Sequence, residues 1–321
     1  MNEMVVKNVQ KAYGGRTILQ QIGFRLKRNE ILGIFGRNGC GKSTLLQILY
    51  GTIKADELLV EFDARPYESD YGKWGKNTII KQRLIGYLPQ FSFLPAGMRV
   101  YNVIPLFYPG GEEQDRIFNA PRLARFSKKK VGELSIGERR YLEIQLVGNL
   151  DHPFLFLDEP FSNLDNISKA EFKVILKNIV KKLKIGLLFV THDSRDALTF
   201  SNQILIIQNG KLLKKGTAQE LTEKPPSKYA AQLLGLINIY NGEKLNNSFS
   251  TNFQADKEYW LPQKYLSIHQ GEAFKIKEEQ FLGNEYEYSL SNNKITLIYR
   301  SKDKLREKAY NLTLSEAILI R

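Results

Sequence analysis

Short apolar runs alternate with amphipathic stretches from the start of the chain to about Gly216. The runs Ile31–Phe35, Ile85–Leu88, Phe154–Leu157, Leu187–Val190 and Ile204–Gln208 have the length and continuity of strands buried on both faces. Between them, Ser43–Tyr50, Ile136–Leu150 and Ser168–Leu183 have helical spacing, with Leu142, Leu146 and Leu150 on one face of the second. Alternation of this kind predicts an α/β domain with a largely parallel sheet and a ligand at the strand carboxyl ends. Asn209-Gly210 predicts a turn that folds Ile204–Gln208 onto Lys211–Lys215 as a hairpin. Beyond Pro225-Pro226 the pattern changes. Tyr229–Leu236 reads as a short helix. From about Asn238 strands dominate, at Tyr259–Leu261, Phe274–Phe281, Tyr286–Leu290 and Lys294–Tyr299. The expected division is therefore 1–224 and a small β-rich domain, 225–321.

The 321 residues suffice for those two domains. Apolar runs are too short to reach the roughly 18 residues of a bilayer span, and Met1–Lys7 has a strand pattern rather than that of a signal peptide. The single cysteine, Cys40, excludes a disulfide framework, and three histidines argue against a multi-histidine zinc site. A net charge of +13 suits phosphate ligands, an anionic membrane surface or nucleic acid, or is simply a solvated basic surface.

Candidate chemistry begins at Gly36-Arg37-Asn38-Gly39-Cys40-Gly41-Lys42-Ser43, which fits G-x-x-x-x-G-K-[ST] between a strand and a helix that continues with Thr44. Its glycines allow backbone N–H groups to converge on a phosphate at a helix N-terminus, with Lys42 reaching the phosphates and Ser43 placed to ligate Mg²⁺. Cys40 in this loop replaces a small residue; a helix N-terminus could also lower its pKa and make alkylation block the site. The apolar run Phe154–Leu157 ends in Asp158 and Glu159, one suited to hold Mg²⁺ through its water shell and the other to orient or deprotonate a water.

With these motifs in order, the chain resembles the ABC ATPase family over about Met4 to Gly216. Leu134-Ser135-Ile136-Gly137-Glu138 is similar to the family signature, with Ile136 for a glycine and Glu138 for a glutamine; Ser135 and Glu138 also have capping-box spacing. The resemblance implies a P-loop NTPase cassette with a RecA-like core, a helical subdomain at about 91–150, and the cofactors ATP and Mg²⁺. By the same resemblance Tyr13 stacks on adenine, though an ordinary loop tyrosine is the alternative. Gln90 resembles the glutamine that senses Mg²⁺ and the membrane partner. Ser162-Asn163-Leu164-Asp165 resembles the D-loop, and His192 the histidine that contacts the γ-phosphate. Catalysis would then rest on Lys42, Glu159 and His192. Ser135, Gly137 and Glu138 would meet the nucleotide of a partner subunit, in a homodimer or a pair of related subunits.

The implied function is the ATPase subunit of a transporter with a separate permease, on the cytoplasmic face of the membrane. The alternative is a non-transport ATPase of nucleic-acid maintenance or iron–sulfur assembly. The short, cysteine-poor interval from Ser43 to Ser135 lacks the insertions of the nucleic-acid relatives, so direct nucleic-acid binding is not expected. The β-rich tail is similar to the TOBE-type, OB-like domain of importers. Phe91, Phe93, Tyr101, Phe107 and Tyr108 fall in the helical subdomain, where they could line a groove for the permease or form its core.

Overall fold

The computed structural model describes residues 1–67, 84–148, 152–236 and 238–320, in two compact units, Met1–Ala218 and Gln219–Arg321. In the first unit, β1 (Glu3–Tyr13) turns back at Gly14-Gly15 into β2 (Arg16–Leu19) and also pairs antiparallel with β3 (Phe24–Lys27). The chain then enters β4 (Ile31–Phe35) and α1 (Lys42–Tyr50), and returns through β5 (Glu57–Phe62) and β6 (Arg65–Tyr67) to close a five-stranded antiparallel sheet.

The apolar runs become neighbours in a second sheet. Its order is β11-β10-β4-β9-β8-β7, with β7 (Ile85–Leu88), β8 (Phe154–Asp158), β9 (Gly186–Thr191), β10 (Gln203–Gln208) and β11 (Lys211–Gly216). All neighbours are parallel except β10 and β11, the hairpin expected at Asn209-Gly210. β4, β8 and β9 are buried throughout because both faces are covered. Alternate residues serve different cores. Leu32, Ile34, Phe156 and Val190 pack towards the N-terminal sheet and α1, whereas Ile31, Leu157 and Phe189 pack with Phe172 and Leu176 of α6 (Asn166–Leu183).

A separate core gathers Leu94, Val103, Ile104, Leu142 and Leu146. It lies among α2 (Val100–Phe107), α3 (Glu112–Phe118), α4 (Pro121–Ala124) and α5 (Ile136–Gly148). Leu150 lies outside the described residues. Of the aromatics weighed as groove or core, Tyr108 is buried and Phe107 packs against this core. Phe91, Phe93 and Tyr101 are instead exposed at 79%, 40% and 42%. They therefore do not form the core. Among the described residues no helix is long and apolar enough to cross a membrane.

The helix expected at Tyr229–Leu236 is shorter, Lys228–Leu233, because Gly235 takes φ +77° and turns the chain. The second unit is otherwise mostly antiparallel strands. A three-stranded sheet contains Ile239–Asn241, Glu258–Trp260 and Ile318–Ile320. A four-stranded one contains Leu266–Phe281, Tyr286–Ser291, Thr296–Ser301 and Ala309–Leu314. The strand expected at Phe274–Phe281 starts earlier, at Leu266, and continues through register shifts near Gln270 and Ile276. Gly242–Phe249 adds a helix.

Candidate active site

Of the five parallel strands of the central sheet, β4, β7, β8 and β9 each lead into a piece of the site at their carboxyl ends. β4 leads into the loop 36–41. Two of its glycines have positive φ, Gly39 at +80° and Gly41 at +99°, which a side chain would strain. Gly36 is required for another reason: a Cβ there would lie 2.6 Å from Ile207 O and 2.7 Å from Cys40 Sγ. Gly41 then opens α1. Lys42 is buried, and its ammonium donates to Gly36 O at 2.9 Å and to Arg37 O at 3.1 Å, so its stem crosses back over the loop.

β8 supplies the carboxylates. Ser43 Oγ donates to Asp158 Oδ1 at 2.9 Å, and the Tyr87 hydroxyl reaches Oδ2 at 3.4 Å. Both oxygens of a nearly buried acid are thus engaged. Burial raises the Asp158 pKa against the opposing hydrogen bonds of Ser43 and Tyr87 and the charges of Lys42 and Arg140. Burial and the same carboxylate push the Tyr87 phenol well up, which keeps it a donor.

Glu159 follows at the strand end with φ +47°, a conformation that costs an ordinary residue about 1 kcal/mol or more. It is pinned there: its N–H donates to Val190 O at 3.2 Å, while its carbonyl accepts from Ser162 N at 3.1 Å and Ser162 Oγ at 2.8 Å. Its Oε1 lies 2.9 Å from His192 Nδ1. Burial raises the Glu159 pKa, and the His192 contact works the other way. Because β8 and β9 are adjacent and in register at Asp158 and Val190, Glu159 and His192 leave the sheet side by side. An ionised Glu159 can only accept, so the imidazole donates to it through Nδ1 and leaves Nε2 for another partner.

These groups face a cavity of about 450 Å³. Its floor is formed by Asn38, Gly39, Gly41, Lys42, Ser43 and Thr44, and its reactive wall by Gln90, Glu159 and His192. Tyr13 and Ile18 form the remaining side. Tyr13 is 48% exposed, with Lys11 Nζ 4.6 Å from its ring centre. Gly36, Arg37 and Asp158 are not among the lining residues.

Cys40 is also absent from this lining, and of its two readings the surroundings favour the small residue over the activated thiol. Its N–H turns to Arg37 O at 3.4 Å, its side chain is buried, and burial raises its pKa by more than Lys42 lowers it. It packs as a small apolar residue and does not line the cavity.

Ser135, Gly137 and Glu138 are not part of this cavity. They open α5, where the capping box is formed: Ser135 N donates to Glu138 Oε2 at 2.9 Å and Glu138 N to Ser135 Oγ at 3.1 Å. Burial works to raise the Glu138 pKa, but the Ser135 N–H and the Lys129 ammonium together hold it below the usual range. Ile136 is 51% exposed. Asp165, in the segment that resembles the D-loop, is the N-cap of α6 and accepts from Ile167 N and Ser168 N.

Two residues of this region were not singled out from the sequence. Tyr87 bonds the carboxylate described above. Arg140, on α5, donates to Pro89 O at 2.9 Å and to Gln90 O, and pairs with Glu143. The spacing of Arg140 and Glu143, three residues apart on a helix, was the only local signal for that pair.

A phosphate loop, a hydroxyl and carboxylate able to share a cation, and an acid–imidazole pair on one edge form a nucleotide-hydrolysing arrangement. The comparisons agree. The family described as "ABC transporter" matches residues 19–162. The spermidine/putrescine import ATP-binding protein PotA of Clostridioides difficile (strain 630) is 27% identical over 302 residues, which is 92% of this chain and 84% of that protein. The protein of the same name from Haemophilus ducreyi (strain 35000HP / ATCC 700724) is 27% identical over 98% of this chain and 80% of its own length. Among solved structures, cbiO1 of Clostridium perfringens, part of the ABC transporter complex cbiONQ, is 26% identical with a TM-score of 0.59, covering 69% of this chain and 91% of that one. A nucleotide-free ATP-binding cassette from an ABC transporter, 20% identical with a TM-score of 0.58, covers 68% of this chain and 92% of its own and shares the fold. Residues 19–162 thus match the ABC transporter family, the chain is similar over most of its length to import ATP-binding proteins, and it is an ATPase.

Proposed function

We propose that this ATPase is the energy subunit of an importer, working as a head-to-tail pair beneath a separate membrane permease on the cytoplasmic side. The observation that carries the pairing is a separation. Lys42, Gln90, Glu159 and His192 converge on one cavity, while Ser135 and Gly137 open a helix outside it. A helix N-terminus is a ready anion site, and in a head-to-tail pair each would face the other chain's γ-phosphate, giving two composite sites.

Within one site, the loop amides and Lys42 hold the β- and γ-phosphates and Tyr13 stacks on the base. The residues fit Mg²⁺. Ser43 Oγ and Asp158 Oδ1 are hard oxygen donors 2.9 Å apart. No group of three or more His, Cys, Asp or Glu among the described residues forms an all-protein cage, the pattern of an ion that keeps phosphate and water ligands. Ser43 and Gln90 would hold it with the phosphates, and Asp158 through its water shell; the bound ion would neutralise phosphate charge. Glu159 accepts the proton of the attacking water, and His192, oriented by Glu159 through Nδ1, offers Nε2 to the γ-phosphate.

Import is supported by the relatives named for spermidine/putrescine import, whose likeness extends over 92% and 98% of the chain and so takes in the β-rich unit. A polycation of that class is the first cargo to test. The exposed Phe91, Phe93 and Tyr101 offer the permease an aromatic face.

Glu159→Gln tests the mechanism: turnover should be lost while ATP converts the protein to a stable dimer, read by size-exclusion chromatography with light scattering. A variant that stays monomeric with ATP, or still hydrolyses it, overturns the composite site. Recovery of a permease from detergent extracts tests the transport role, and recovery of ribosomes or DNA instead overturns it.

A further inference from the structure

Helix α5 carries two charged residues for which the chemistry above has no use. Arg140 and Glu143 are 6% and 0% exposed. Their ion pair is 2.9 Å long, and the guanidinium also donates to two successive carbonyls, Pro89 O at 2.9 Å and Gln90 O. Glu143 Oε1 is buried and has no hydrogen-bond partner among the described residues.

Such a pair is a poor stabiliser. Desolvating two ions is offset only when their remaining lone pairs and protons are matched, and replacing a buried pair by apolar side chains is often neutral or better. What it supplies is geometry. A guanidinium is a rigid planar fork, so one Arg can fix two carbonyls and a carboxylate in a set relation, which the single point charge of a lysine cannot. The segments it joins are the loop that carries Gln90 into the nucleotide cavity and the helix that begins at the signature. Arg140 itself does not line the cavity.

We infer that Arg140, held by Glu143, is a positioning residue that ties the Gln90 loop to the signature helix, so that Gln90 at the chain's own nucleotide and Ser135 at the partner's move as one body. The inference rests on the head-to-tail reading above. It assigns a route within each chain between two nucleotides: a shift of the loop main chain at Gln90 pulls on α5 directly, through hydrogen bonds to the same side chain.

The test uses the full chain and the paired substitution Arg140→Met with Glu143→Leu, which leaves no buried charge unmatched, alongside Arg140→Lys. Each is made with Gln90 present and with Gln90→Ala. The paired variant should melt within a few degrees of wild type and keep KM for ATP within about 2-fold while kcat falls about 10-fold. In the Glu159→Gln background, it should need about 10-fold more ATP to dimerise, and both losses should vanish when Gln90 is already alanine, because residues acting as one unit are not additive. Arg140→Lys should lose kcat like the paired variant although it keeps the charge. Unchanged kcat and dimerisation, or losses that multiply with that of Gln90→Ala, overturn the inference alone. A wild-type chain that hydrolyses ATP but never dimerises refutes the head-to-tail reading, and the inference falls with it.

Discussion

His192 Nδ1 stands 2.9 Å from Glu159 Oε1, across the ends of two adjacent parallel strands. The contact lowers the Glu159 pKa against the larger, raising effect of burial. His192→Ala removes that opposition. The acid limb of the kcat/KM profile should therefore move to higher pH, and kcat should fall by about 10² if the imidazole also serves the γ-phosphate. An acid limb that stays in place would show that the contact does not tune Glu159.

Asp158 and Glu159 are both held above the usual carboxylate range, burial being the largest cause for each. A raised pKa in the fold means that the native state binds the proton more tightly than the unfolded chain does. The associated stability is fully present below the unfolded pKa and is lost as pH rises through the raised folded value. Glu159→Gln removes the ionisable group, so it should melt above wild type at about pH 8, with the gap closing towards about pH 4. Thermal melts across pH check this, and an equal or lower melting temperature at the higher pH contradicts it.

Cys40 is buried, with its pKa raised. Maleimide at about pH 7 should label the native chain at least about 10-fold more slowly than the guanidinium-unfolded chain. Fast native labelling that ATP prevents would restore the activated-thiol idea.

Ile136 is half exposed beside Gly137, at the surface that a head-to-tail partner would cover. Ile136→Gly should tighten ATP-dependent dimerisation in the Glu159→Gln background by removing bulk, at a helix cost of up to about 1 kcal/mol. Glu138→Gln keeps the capping box, since glutamine can also bond Ser135 N, and removes the negative charge. Sedimentation with ATP measures both; weaker dimers in both variants would mean that these departures from the family pattern favour association.

In the second unit, buried Asn238 takes φ +64° and bonds Ile298 through both amide atoms, Nδ2 to O at 2.8 Å and Oδ1 from N at 2.7 Å. The side chain thus acts as a neighbouring strand would. Asn238→Ala leaves both main-chain groups unmatched and should cost about 2–3 kcal/mol in urea unfolding of that unit. A loss below about 0.5 kcal/mol would show that water replaces the amide.

The central sheet was legible because its strands are buried on both faces and so read as continuous apolar runs, and the phosphate loop because its glycines sit at fixed offsets. The N-terminal sheet was not. β1 pairs with β5, Val6 opposite Val60, across more than fifty residues that include a strand and a helix of the other sheet. No local pattern announces such pairing. That Cys40 stands in place of a small residue was readable from its position in the loop; its burial against Gly36 was not. Arg140 stands in Glu138-Arg139-Arg140, which looks like a solvated helical turn; only the return of the chain through Pro89 and Gln90 buries it. In the tail, Phe274–Phe281 was recognised but not its extension to Leu266, whose alternation is broken by bulges.

Tyr13 and Ile18 close one side of the cavity with a phenol ring and an aliphatic side chain. A ring offers a purine its π-face and does not distinguish one pattern of donors and acceptors from another. With Tyr13 stacked on the base as proposed, ring contact by itself would hold adenine and guanine on nearly equal terms.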